Sequence, residues 1–493
     1  MNLLKEGKTN WKYIIIVVIL AVIIGGGIFW FVGWMIKEKA KMPEIKVSEI
    51  NLSTTKLATI PKKYKDKIVW PIVFSPDGRR VAYVVLTKEP VVVGGLREEV
   101  VVLNGKESGP YSGAQGVQAL LFSPNGKRFA YTAEKRWLLF TKGWFLILDG
   151  EERGPYDGIS YRSENFTFSP DSNRFACIVL KERKYFLILD GEERGPYDYV
   201  GELTFSPDSN HFAYETEKEG RSFLVLDGKE IGPYKYIYDL TFSSNSKRFA
   251  YVVGKDEKDF VIIDGKELGP YSKAWKPTFS PDSERFAYEA QKAVKKNFII
   301  LDGKEIGPYD SITFTFSPDS NHFAYVAKKG DKWFVVLDGE EKGPYSRVEF
   351  LTFSPDSKRL AYAGAKEGKY FVIINGEEKG PYSYILDPPV KSFVFSPDSN
   401  RFAYVINGFV NLDGKEMGPY DGVLNLTFSP DSKHFAYVAM TELGQKWLVI
   451  LDKEEKNYDM VYLPSFSFDS ESKYLYYGAK LGNEFWWIVE EVK

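Results

Sequence analysis

Residues 313–345 read TFTFSPDSNHFAYVAKKGDKWFVVLDGEEKGPY, and this stretch decides the fold. Thr313 to Phe316 is a first strand. Ser317-Pro318-Asp319-Ser320 is a turn with proline and Asx chemistry. His322 to Ala327 is a second strand, and Trp333 to Leu337, rich in β-branched and aromatic residues, is a third. Asp338-Gly339 supplies the positive φ that a tight hairpin turn needs. A fourth strand is expected around Gly343-Pro344-Tyr345, and Pro344, which has no N–H to donate, suits an outer edge.

Outward from this stretch the pattern recurs. Equivalent turns begin at Phe74, Phe122, Phe168, Phe205, Phe242, Phe279, Phe316, Phe353, Phe395, Phe428 and Phe466, with a spacing of 37 residues from Phe168 to Phe353. A fixed period of this size marks a repeat architecture, and four antiparallel strands per repeat mark a propeller blade. The expected fold is therefore all-β, a β-propeller of eleven four-stranded units over residues 59–493. The last unit ends after Phe485–Val489 without a fourth strand. Ile60–Ile68 is expected to supply it, Tyr64 resembling the tyrosine of a Gly-Pro-Tyr strand, because an uncovered edge invites aggregation. The sequence leaves open one wide ring or two. In the two-ring arrangement the six regular units would be inserted into a ring of five, with a crossing near Ser383–Ser392.

The Ser-Pro-Asp-Gly turn at Ser75–Gly78, Arg-Phe-Ala-Tyr strands such as Arg248–Tyr251 and Leu-Asp-Gly hairpins such as Leu226–Gly228 resemble the TolB-type, WD40-like propeller repeat. The resemblance spans about residues 60–493 and implies a scaffold with no single function. The Gly-Pro-Tyr element, present in nine units from Gly109 to Gly418, is this chain's own variation.

Ahead of the repeats, Tyr13–Ile36 holds 24 residues without a charge, flanked by Trp11 and Tyr13 at one end and Trp30 and Trp34 near the other. At about 1.5 Å per residue it reaches roughly 36 Å, enough to cross a bilayer as one helix. Its length exceeds a signal-peptide core, so it is expected to be a retained anchor. Residues 1–12 form a short tail and 37–58 a tether. Lysines flank both ends, so orientation rests on the short tail before the anchor, which places the propeller outside the cytoplasm.

Sixty-five Lys and Arg nearly cancel 67 Asp and Glu, which argues against a nucleic-acid partner. One cysteine, Cys177, excludes an intrachain disulfide. It stands where other units have tyrosine and is expected in a buried strand. His211, His322 and His434 share one repeat position that other units fill with Arg, so they are expected to serve the turn, with no metal. The turn aspartates come singly, which suits turn stabilisation better than calcium. No hydrolase elbow, zinc helix or phosphate loop appears, and no cofactor is expected.

The two turn types above share one face and are nearly constant. The loops of the opposite face vary in length and charge. Glu202, Asp239, Lys276, Thr313 and Phe350 occupy one changing position three residues before the repeat phenylalanine. Glu202, Asp239 and Lys276, with Trp275, Arg162 and Lys391, are the candidates for ligand contact. Two readings stay open: a binding or scaffold module for a protein, peptide or glycan, or an enzyme of hydrolase or lyase type with its site in the central channel.

Overall fold

In the computed structural model the Phe316 unit is an antiparallel sheet of Ser311–Phe316, Phe323–Lys329, Lys332–Leu337 and Glu340–Tyr345, in that order. Side-chain chemistry sets its first turn. The Ser317 hydroxyl donates to Asp319 Oδ1 at 2.5 Å and accepts from the His322 N–H at 2.9 Å, and Asp319 Oδ1 also accepts the Asn321 N–H at 3.0 Å. At the hairpin, Asp338 and Gly339 sit at φ 50° and 93°, the left-handed region that favours these two residue types. In the outer strand the pairing jumps from Trp333↔Tyr345 to Val335↔Lys342, so Gly343 and Pro344 bulge out of the ladder.

The structure describes residues 55–64, 67–88, 97–113, 116–137, 140–160, 162, 165–383, 393–441 and 444–492. The expected tail and span, most of the expected tether, and all of the crossing segment but Ser383, Lys391 included, lie outside them. Among the described residues no helix is long and apolar enough to cross a membrane. The strands fall into ten sheets, nearly all built on the same four-strand order. One sheet joins the Phe74 and Phe122 units through a single parallel bridge between Ser112 and Lys135. This is the architecture of a β-propeller.

The core is a series of slabs between neighbouring sheets. Ala324, Val326 and Val335 of the Phe316 unit pack against Leu360, Tyr362 and Ile373 of the next. Ala361, Ala363 and Val372 then pack against Phe393, Phe395 and Phe402 of the one after. The first unit meets the last in the same way: the Phe74 ring lies 5.4 Å from Tyr462 and 6.2 Å from Phe485.

The closing strand exists, but not where Ile60–Ile68 was expected. Thr55–Thr59, which begins in the last residues of the expected tether, pairs antiparallel with Glu484–Glu491 and completes the last sheet. Pro61 ends this strand, Lys62–Tyr64 makes a 3-10 turn, and Ile68–Phe74 is already the inner strand of the first unit. Tyr64 still acts as a Gly-Pro-Tyr tyrosine does. It is buried in the slab between first and last units and donates to Glu107 at 2.8 Å, as Tyr156 donates to Glu193 at 3.0 Å.

Candidate functional site

On the constant face, conserved turn residues are taken up in bonds between units. Where a turn has a second serine, that serine accepts the backbone N–H at the aspartate position of the preceding unit: Ser320 from Asp282 at 3.0 Å, Ser357 from Asp319 at 2.9 Å. The arginine after the turn pairs with the hairpin aspartate of its own unit, as Arg285 with Asp302 at 3.0 Å, and reaches the next unit's Ser320 carbonyl at 3.2 Å. The histidines take the arginine's place. His211, His322 and His434 hold Nδ1 at 2.7, 2.6 and 2.5 Å from Asp227, Asp338 and Asp452. Cys177 is fully buried, and burial pushes its thiol far above the ordinary value.

On the opposite face the inner strand of most units carries a bulge. In three consecutive units the residues at its kink, Glu202, Asp239 and Lys276, have φ of 43°, 55° and 58°, a region unfavourable for residues with a Cβ. Their side chains bridge to the next unit. Glu202 Oε2 accepts the Leu240 N–H at 3.1 Å, Asp239 Oδ2 accepts the Lys276 N–H at 2.7 Å, and Lys276 Nζ donates to Thr313 Oγ1 at 2.9 Å. Three sequence candidates thus form one chain of contacts along the inner wall.

Around that chain sit groups the sequence reading passed over. Glu289 is buried, accepts the Trp275 indole N–H at 2.6 Å and lies 3.5 Å from Lys276 Nζ. Trp275 and Lys276 therefore converge on one carboxylate. Asp259, fully buried, accepts the hydroxyls of Tyr236 and Tyr238 at 2.6 and 2.7 Å and the Ala274 N–H at 2.9 Å. Among the described residues Glu215 has the Ser222 hydroxyl, at 3.5 Å, as its side-chain donor. Burial, helped by the charge of Glu202, pushes it up to about 7. Burial also raises Glu202 and Glu289, against the backbone donors of Leu240 and Asp239 in one case and Lys276 in the other. Glu215 and Glu289 were legible as departures from the repeat, since Val252, Val326 and Ala363 hold their position elsewhere.

Arg162 is exposed, and its charge acts on Tyr199, which is 42% exposed. Among the described residues no group of His, Cys, Asp or Glu is arranged to hold a metal. Glu215 can exchange a proton near neutrality; the neighbouring carboxylates are held by backbone and side-chain donors.

No protein-family model matches the chain, and no curated protein sequence is similar to it. Solved structures with a similar course include a crystal structure described as the eukaryotic initiation factor, at 12% identity, covering 65% of this chain and 94% of that one with a TM-score of 0.37. The Dos1 propeller covers 59% and 92% at 11% identity and a TM-score of 0.30. The dihydro-heme d1 dehydrogenase NirN in complex with DHE covers 57% and 72% at 14% identity and a TM-score of 0.31.

Proposed function

We propose that this chain is a membrane-tethered binding or scaffold module. In this reading a TolB-type, WD40-like propeller of eleven units in one ring is held by residues 13–36 at the cell membrane. It stands outside the cytoplasm and takes a protein, peptide or glycan on its variable face. One observation carries the reading: the two faces use their side chains differently. The constant face commits polar groups to neighbouring units, as Ser320 and Arg285 do, and to its own hairpins, as His322 does. The other face brings together differing residues from successive units, including Tyr199, Tyr236, Trp275 and Lys276, several of them partly exposed. A scaffold held constant on one side and varied on the other suits recognition.

Glycan arrays and crosslinking to membrane-fraction proteins, with the full chain in detergent, test this. The double substitution Tyr199→Ala with Arg162→Ala should abolish a saturable partner. Glu151→Ala, on the constant face, should leave it. Loss with neither variant, or equally with both, would sink the assignment to this face.

A second reading, an enzyme in the central channel, is favoured by Glu215 alone, a carboxyl near neutrality beside a second one. Turnover of a glycoside or ester panel that falls at least a hundredfold in Glu215→Gln would replace the binding reading.

A further inference from the structure

Ten units are guarded at the outer rim, each in a visible way. Eight outer strands bulge at or near Gly-Pro, so their ladder breaks after a few residues. The Phe395 unit's outer strand stops at Met417, before Gly418-Pro419. The closing strand Thr55–Thr59 shifts register between Lys56 and Ala58. Prolines and bulges are the usual means of keeping an edge from pairing with other chains.

The Phe428 unit has neither among the described residues. Its outer strand Glu454–Tyr458 pairs without a break, from Leu451↔Glu454 to Trp447↔Tyr458, and the single residue Asn457 precedes the tyrosine where nine units have the pair Gly-Pro. It is the last strand of its sheet, so its far side is an open edge.

The same strand carries an unbalanced charge. In seven units a lysine near the end of the second strand pairs with the glutamate at the second position of the outer strand, as Lys329 with Glu341 and Lys366 with Glu378. Here Thr441 holds the lysine's position. Glu455 is exposed and accepts the Tyr420 hydroxyl at 3.5 Å. Lys456, one residue on, is turned to Glu490 of the last unit.

We propose that the edge Glu454–Tyr458 is a docking site for an extended basic segment of a partner protein, which adds as a further strand and sets a lysine or arginine against Glu455. Main-chain bonds along the open ladder supply the attachment, and the missing lysine supplies the preference for a basic chain. This site lies on the outer rim and does not depend on the variable face. A second copy of this chain is disfavoured there, since antiparallel self-pairing centred on this strand sets Lys456 against Lys456.

The test uses full chain in detergent and a fluorescein-labelled peptide, Thr-Lys-Val-Lys-Val-Lys-Thr, read by fluorescence anisotropy. Saturable binding is expected. It should weaken at least tenfold in Asn457→Pro, which installs the residue nine other units tolerate, and three- to tenfold in Thr441→Lys, which restores the lysine and leaves the edge intact. Thermal melting confirms that both variants are folded. The same peptide with its central lysine replaced by proline should not bind. Equal affinity for wild type and Asn457→Pro, undiminished binding of the proline peptide, or no saturation overturns the proposal. Self-association of the chain that Asn457→Pro abolishes also overturns it, in favour of a second copy.

Discussion

Carboxyl groups are used in two opposite ways in this chain. Asp431 in a turn accepts from the Ser429 hydroxyl and the Lys433 N–H, and these bonds, the serine's foremost, hold it down to about 2. A lowered pKa stabilises the fold above the ordinary aspartate range and loses that effect as pH falls toward 2. Glu215 is the reverse case, raised from 4.5 to about 7 by burial and by Glu202. Between those two values the folded chain holds a proton that the unfolded chain has released. Stability from this group therefore falls as pH rises from about 4.5 to about 7 and stays low above it. Glu215→Gln removes the ionisation and keeps the shape. Its melting temperature should match wild type near pH 4.5 and exceed it increasingly toward pH 8. Melting temperatures that stay a constant distance apart across that range would show that Glu215 ionises in the folded chain as it does in the unfolded one, with no upward shift.

Between neighbouring units, the tyrosine of one outer strand meets the tyrosine of the next unit's second strand. Tyr345 and Tyr362 hydroxyls lie 2.9 Å apart, Tyr111 and Tyr131 2.7 Å, and Tyr458 and Tyr477 2.8 Å. These rings pack edge to face, which adds to the hydrogen bond. Tyr345→Phe leaves the buried Tyr362 hydroxyl without this partner and should cost about 1–2 kcal/mol. Tyr197→Phe should cost less, because that pair is 3.3 Å apart and Tyr197 is half-buried. Chemical denaturation of both variants checks the order: no cost in either would mean that the pairs contribute through packing alone, and an equal or reversed cost would show that the hydroxyl separation does not set it. The strands and turns of a unit were readable from one repeat, because Ser317, Asp319, Asp338 and Gly339 act on their own neighbourhood. The role of Gly-Pro-Tyr was only half readable. Its proline announces an edge, but the partner of its tyrosine lies in the next unit. The bridges from Glu202, Asp239 and Lys276 were hidden for the same reason: these residues differ because each answers a different neighbour, a pattern that resembles ligand selection in the sequence.

At the scale of the whole propeller, the question is what joins the first unit to the last. The sequence pointed to a strand from the N-terminal side but placed it at Ile60–Ile68, because Tyr64 resembles the tyrosine of a Gly-Pro-Tyr strand. Thr55–Thr59 reads as a polar stretch, and it is a strand only because Glu484–Glu491 offers it an edge. Its residues bury little alone, as their mostly exposed pattern shows. Ala58, Ile60 and Tyr64 nevertheless enter the slab formed by Val81, Tyr83, Phe485 and Trp487. Removing residues 1–60 would withdraw Ala58, Ile60 and the paired strand and leave Phe485 to Trp487 as an apolar open edge. The burial of those two side chains and the lost backbone pairing together come to about 3–6 kcal/mol. Removing residues 1–51 keeps the strand. Melted side by side, the shorter chain should unfold on the order of 5–10 °C lower and aggregate in a concentration-dependent way, since an uncovered apolar edge pairs with other chains. If the two melt together, the strand Thr55–Thr59 does not lock the ring, and the contacts of Phe74 and Tyr83 with Tyr462, Phe485 and Trp487 hold the ends without it.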